Sequence, residues 1–191
     1  MKKVILAVFI LMASVSVSYA QMDLSEQQKK LQESVDKVSW KNLAVEFYEV
    51  KNKAENGYKA MTVKSTDDKN GQTFYVAKNP VLTLQDTRSM DVAYVPGDGK
   101  LMRLMVRFNA EGQKILSDYS SANLNQMMGV VIDGKLRLVA TLRQPLTNGR
   151  VQVHGFTADE AAGILDRYFQ PKLEAVSKFN QQLSGVKEPQ K

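Results

Sequence analysis

The 191-residue sequence has no cysteine, one histidine and one tryptophan. Without cysteine there can be no disulfide, no thiolate nucleophile and no cysteine metal site. With His154 as the sole imidazole, a centre built from several histidines is excluded too. Long apolar runs are equally scarce. Beyond the first 20 residues no segment approaches the roughly 20 apolar residues that cross a bilayer as a helix, so no membrane span is expected in the mature chain. Nor does one sign of charge dominate. The formal net charge is +6, and removal of Lys2 and Lys3 with a leader lowers it to about +4, with both signs interleaved along the chain. A nucleic-acid reader would cluster its basic residues on one stripe with aromatics between them, so no nucleic-acid partner is expected. There is no internal repeat and no low-complexity tract.

What is present is ordinary globular material, 43% hydrophobic and 24% charged, in a length suited to one domain with helical additions. Met1-Lys2-Lys3, the apolar run Val4 to Met12 and the small-residue close Ser18-Tyr19-Ala20 form the three parts of a secretory signal peptide. Cleavage is expected near Ala20, giving a periplasmic or secreted protein. Lacking cysteine at that point, it is not expected to be a lipoprotein.

Asp23 to Val38 carries a thin helical stripe at Leu24, Leu31, Val35 and Val38. Strands are expected over Leu43–Val50, Thr73–Ala77, Asp91–Val95 and Leu101–Phe108, with a polar turn at Thr66–Gln72 and an extended segment from Pro80 to Leu84. Ala54 to Val63 is ambiguous. Pro96-Gly97-Asp98-Gly99 reads as a turn. Asn109 caps a helix through about Ser120, burying Ile115, Leu116 and Tyr119. Asp133-Gly134 and Asn148-Gly149 are dipeptides suited to tight hairpin turns, the first within Met128 to Val139 and the second ahead of a strand at Arg150 to His154. Thr157 and Glu160 have the spacing of a capping box for a helix from Ala158 to Phe169. Pro171 is expected to interrupt that helix, with a more polar one restarting over Lys172–Leu183 and a loose tail after Gly185. Strands mostly in hairpins, with helices after Phe108 and Phe156, predict an α+β fold with a mainly antiparallel sheet and helices on one face.

Several runs carry a family likeness. They are Asn79-Pro80-Val81-Leu82-Thr83, Val106-Arg107-Phe108-Asn109-Ala110-Glu111-Gly112, Ser120 to Asn123, Val130-Val131-Ile132-Asp133-Gly134-Lys135 and Gly149 to Ala162. In that order and spacing they resemble SecD, the protein-export subunit, and specifically the head subdomain of the first large periplasmic domain of SecD and SecDF. The similarity spans roughly Tyr75 to Tyr168, and Val45-Glu46-Phe47-Tyr48 is similar to the strand before the head. Thr141 stands where that family usually has proline, and Asn125 where it often has glycine. The resemblance implies a periplasmic module that contacts polypeptide or an envelope protein, accessory to export. It brings no catalytic residues and no cofactor. The membrane helices through which SecD couples export to a proton gradient are not found here, so that activity is not inherited. The division expected is residues 1–20 signal peptide, 21–72 helix and strand extension, 73–170 head-like domain and 171–191 helix and tail.

No residue is assigned a catalytic, cofactor-binding or metal-binding role. His154 could serve a small periplasmic hydrolase or ligand-binding enzyme, and Ser120, Ser121 and Asp133 supply partners by type, though no spacing brings them together. A strand-end histidine bonded to backbone explains it without chemistry. Asp67-Asp68 and Asp159-Glu160 read as turn and helix-start residues, and Gly97-Asp98-Gly99 lacks the lysine and helix of a phosphate loop. Met102, Met105, Met127 and Met128 are the candidate partner-binding residues, because flexible thioethers suit surfaces that accept varied apolar groups; the same side chains also fill cores.

Overall fold

A computed structural model of the chain describes residues 24–63, 71–95 and 98–184. The signal peptide, most of the turn at Thr66–Gln72, Pro96-Gly97 and the tail after Ser184 lie outside the described residues. In chain order the elements are α1 (Leu24–Asp36), β1 (Val45–Lys51), β2 (Tyr58–Val63), β3 (Gln72–Ala77), a 3₁₀ turn (Leu84–Asp86), β4 (Thr87–Val95), β5 (Asp98–Phe108), α2 (Ala110–Ala122), β6 (Met127–Ile132), β7 (Lys135–Thr141), β8 (Arg150–Phe156) and α3 (Ala158–Ser184). The fold is α+β with antiparallel pairing throughout, as the sequence pattern predicts, but its strands form two sheets. One has five strands in the order β2-β3-β1-β6-β7 and the other three in the order β4-β5-β8.

Local chemistry explains most boundaries. Asn109 accepts a 2.8 Å hydrogen bond from the Gly112 amide and starts α2. The Glu160 amide donates to Thr157 Oγ1 at 3.2 Å while the Thr157 amide donates to Glu160 Oε2 at 3.0 Å, closing the expected capping box of α3. Asp133 and Gly134 hold φ of 49° and 74°, the left-handed pair that a two-residue hairpin between β6 and β7 requires. Asn125 also sits at φ 65°, a conformation that asparagine tolerates better than other non-glycine residues.

Three expectations are corrected. Asn148-Gly149 does not join a hairpin, because β7 and β8 belong to different sheets. The turn instead passes the chain between them, with the Arg150 amide donating to Asn148 Oδ1 at 3.0 Å and the Phe108 amide to the Gly149 carbonyl at 2.9 Å. Asp98 and Gly99 are not turn residues but open β5, Asp98 pairing with Val95. Finally, α3 runs unbroken through Pro171. Proline there removes one helical hydrogen bond, to the carbonyl of Arg167, and the continuous helix also packs against α1.

Apolar side chains gather in two clusters. The larger unites Val45 and Phe47 with both sheets and the buried faces of α2 and α3. Phe47 meets Phe108 edge to face at 5.0 Å between centroids. Tyr168, fully buried on α3, stacks on Trp40 at 5.6 Å, and the indole Nε1 donates to the Tyr168 carbonyl at 2.9 Å. The smaller cluster, Val50, Phe74, Val76, Val131 and Leu136 with Tyr48 and Met61 against it, draws only on the five-stranded sheet. That sheet curls, since β2 and β7 at its opposite ends come within 8 Å of each other without pairing. The smaller cluster fills the curl.

Candidate functional site

An irregularity in β1 pairing opens the curl at one end. β3 meets β1 through Val50↔Val76 and Lys51↔Tyr75, which extrapolates to Phe47↔Asn79. Phe47 pairs instead with Leu82, three residues on, its amide donating to the Leu82 carbonyl at 2.8 Å. The surplus residues bulge around Pro80, which has no amide proton to give a ladder. In the fork between β1 and β3 lies a cup of about 390 Å³, with Tyr48, Met61, Val76 and Val131 on its apolar wall, Gly57 and Gly134 at the edge, and Glu46, Lys59 and Lys78 at the rim.

The wall is electrostatically quiet. Burial pushes the Tyr48 hydroxyl up to about 12, and the neighbouring Glu46 carboxylate adds to the effect, so the phenol stays neutral. Tyr58 donates to Glu49 Oε1 at 2.6 Å, and the Lys51 ammonium sits 4.7 Å above its ring while also bonding Glu55 Oε2 at 2.5 Å. These contacts fix Tyr58, and with it the β2 wall, by groups that lie outside the cup. The arrangement can take up an apolar side chain.

A second recess, about 680 Å³ between α1 and α3, is lined by Lys37, Lys41, Asp166, Arg167, Glu174 and Lys178 among others. Its most engaged cation, Arg167, donates through Nη1 to Asp133 Oδ2 and to the Asn42 carbonyl, both at 2.8 Å. Arg167 thereby ties the β6–β7 turn to α3.

The sequence-predicted residues scatter. Met102 and Met128 are buried in the larger cluster, each 5% exposed, Met105 is half-buried on β5, and Met127 packs at the smaller cluster. None of the four lines the cup. His154 lies within β8, exposed, and its imidazole has no hydrogen-bond partner among the described residues, so the expected bond to backbone is not formed. Ser120 donates to the Ser117 carbonyl and accepts from the Leu146 amide at 2.8 Å, while Asp133 is held by Arg167 and the Ala44 amide. Asp67-Asp68 lies outside the described residues, and among those described no three His, Asp or Glu side chains are placed to hold a metal. The cup itself was missed. Its signal was the continuous apolar run Met127–Ile132, buried at five of six positions, which demands cover on both faces of the sheet.

Fold and cup together define a small antiparallel α+β domain with an apolar-walled recess at the open end of its curled sheet. Residues 59–166, more than half the chain, match the family described as SecDF, P1 head subdomain, and the chain belongs to that family. It is 30% identical over 91 residues to the protein translocase subunit SecD of Treponema pallidum, covering 47% of this chain and 15% of that protein. It is also 39% identical over 57 residues to SecD of Dictyoglomus turgidum, covering 29% and 14%. The chain thus spans only a small part of these relatives' length. Among solved structures it is similar to SecDF, a membrane component that enhances protein export, at 18% identity and a TM-score of 0.48 over 79% of this chain and 72% of that one. No helix among the described residues is long and apolar enough to cross a membrane.

Proposed function

We propose that this chain is a non-enzymatic module, exported to the periplasm after cleavage near Ala20, that contacts unfolded polypeptide in the service of protein export. The observation that carries the reading is the apolar cup in the fork of β1 and β3. A pocket with greasy walls and adaptable methionine accepts many side chains without selecting one. Membership of a family whose relatives are translocase subunits supports the export setting. Met105, half-buried on the other sheet, is proposed as a separate contact for an envelope partner.

Binding of fluorescein-labelled unfolded peptides to the purified exported protein tests the reading. Met61→Asp, placing a charge in the cup wall at a half-buried position, is expected to weaken binding at least tenfold; because Met61 also packs on the smaller cluster the variant is less stable, so binding is measured at a temperature where both proteins are fully folded. Equal binding by wild type and Met61→Asp removes the cup from the proposal. Absence of binding to every peptide removes the proposal.

A further inference from the structure

Resting on that reading, we infer that the cup selects a particular class of segment, an apolar side chain with an aspartate or glutamate within two residues of it. The apolar wall is set by Tyr48, Met61, Val76 and Val131, but the rim is not neutral. Along β2, Lys59 alternates with Met61 and so shares the concave face, and Lys78 follows Val76 by two residues in the same way. The β2–β3 ladder, ending at Tyr58↔Ala77, sets the two lysines on neighbouring strands at one mouth. Both are exposed, and neither ammonium has a hydrogen bond or ion pair among the described residues. The one rim carboxylate, Glu46, stands beside the Tyr48 hydroxyl on the opposite side of the fork.

An occupant therefore meets two positive charges without ion-pair partners on one wall, with the single carboxylate of Glu46 across the mouth. An extended segment seated with its apolar side chain in the cup carries its neighbouring residues past that rim, within the roughly 10 Å over which charges interact at 0.1 M salt. An acidic neighbour gains from both lysines, and a basic one is repelled. The preference acts through exposed groups, so it is modest and falls as salt is added.

The test uses the exported protein and four fluorescein-labelled peptides of one length, a central leucine flanked by aspartates, by serines or by lysines, and an aspartate-flanked glycine control. At low salt the aspartate-leucine peptide is expected to bind on the order of threefold to tenfold more tightly than the serine one, and the lysine one more weakly. The glycine control is expected to bind far more weakly than its leucine counterpart. In a Lys59→Glu, Lys78→Glu double variant the order should invert with the melting temperature unchanged, since both positions are exposed. Equal affinity of the aspartate, serine and lysine peptides, or a preference that survives the double variant, overturns the inference and leaves the cup as a polypeptide site. An aspartate-glycine peptide that binds as well as the leucine one overturns it also, because charge alone is then recognised. Failure of all the peptides to bind overturns both this inference and the reading beneath it.

Discussion

Val45 and Phe47 on one side of β1 lie beneath helices and a second sheet, each 0% exposed, whereas Glu46 and Tyr48 on the other side face the open end of a curl. The two apolar clusters thus share a strand and differ in their lids. The larger is closed by α2 and α3, both entered through side-chain caps and both fixed to the three-stranded sheet. The smaller is closed only by the bending of the sheet that makes it, and where pairing jumps at Pro80 the closure fails. Alternation along a single strand therefore separates two duties. One parity feeds the larger core, and the other feeds the smaller cluster at Val50 and the open cup at Glu46 and Tyr48.

Deep truncation in the larger cluster should show the biggest effect. Phe47→Ala removes a ring packed against Phe108 and is expected to cost about 3–5 kcal/mol, read as a fall in the urea midpoint. A loss as small as that of a surface substitution would mean the larger cluster is not the stabilising one. Next comes Gly129 in the smaller cluster. A Cβ there would meet Val50 Cγ2 at 2.6 Å and Leu136 Cδ1 at 3.0 Å, and stiff, buried Val50 cannot step aside. Gly129→Ala is expected to cost about 1–3 kcal/mol. If it costs nothing, the curl is loosely packed and the contrast between the clusters lies in filling as well as in lids. Asn109→Ala, which removes the cap of α2, should lower stability by about 1 kcal/mol and leave peptide affinity unchanged, because α2 serves only the larger cluster.

Much of the larger cluster's frame could be read from the sequence because it rests on local chemistry. Asn109, the Thr157 and Glu160 pair and Asp133-Gly134 each act within a few residues, and each is found doing what its type and spacing imply. The family likeness was legible for the same reason, in short ordered runs. What could not be read were features decided by distant neighbours. Pro171 signals a helix end, yet α3, which packs on α1, runs on through it. Asn148-Gly149 has hairpin chemistry, but the strands on either side pair with different partners. The cup depends on a three-residue slip between Val76 and Leu82 and on the approach of β2 to β7, neither of which leaves a pattern of its own. Asn79-Pro80-Val81-Leu82-Thr83 is legible as a family run, but its role in opening the sheet depends on the distant pairing of Phe47 with Leu82.

The two halves are also joined by a charge pair, and its titration gives the smallest predicted effect. Glu160 at the start of α3 is held below the usual carboxylate range first by the Thr157 amide and then by the guanidinium of Arg137 on β7, which lies 4.6 Å from the centroid of the Phe156 ring. A carboxyl whose pKa is lower folded than unfolded adds stability that is complete above the unfolded value of about 4.3 and disappears as pH falls through the folded one. Glutamine at 160 can still accept the Thr157 amide but carries no charge, so the urea midpoints of wild type and Glu160→Gln should differ most near neutrality and converge as pH falls through the lowered folded value. The gap should be slight, because the carboxylate side chain is 46% exposed and water screens the pair. A gap that does not vary with pH would show that the charge on Glu160 contributes nothing, and that the curl and the helical core are held together by packing without help from it.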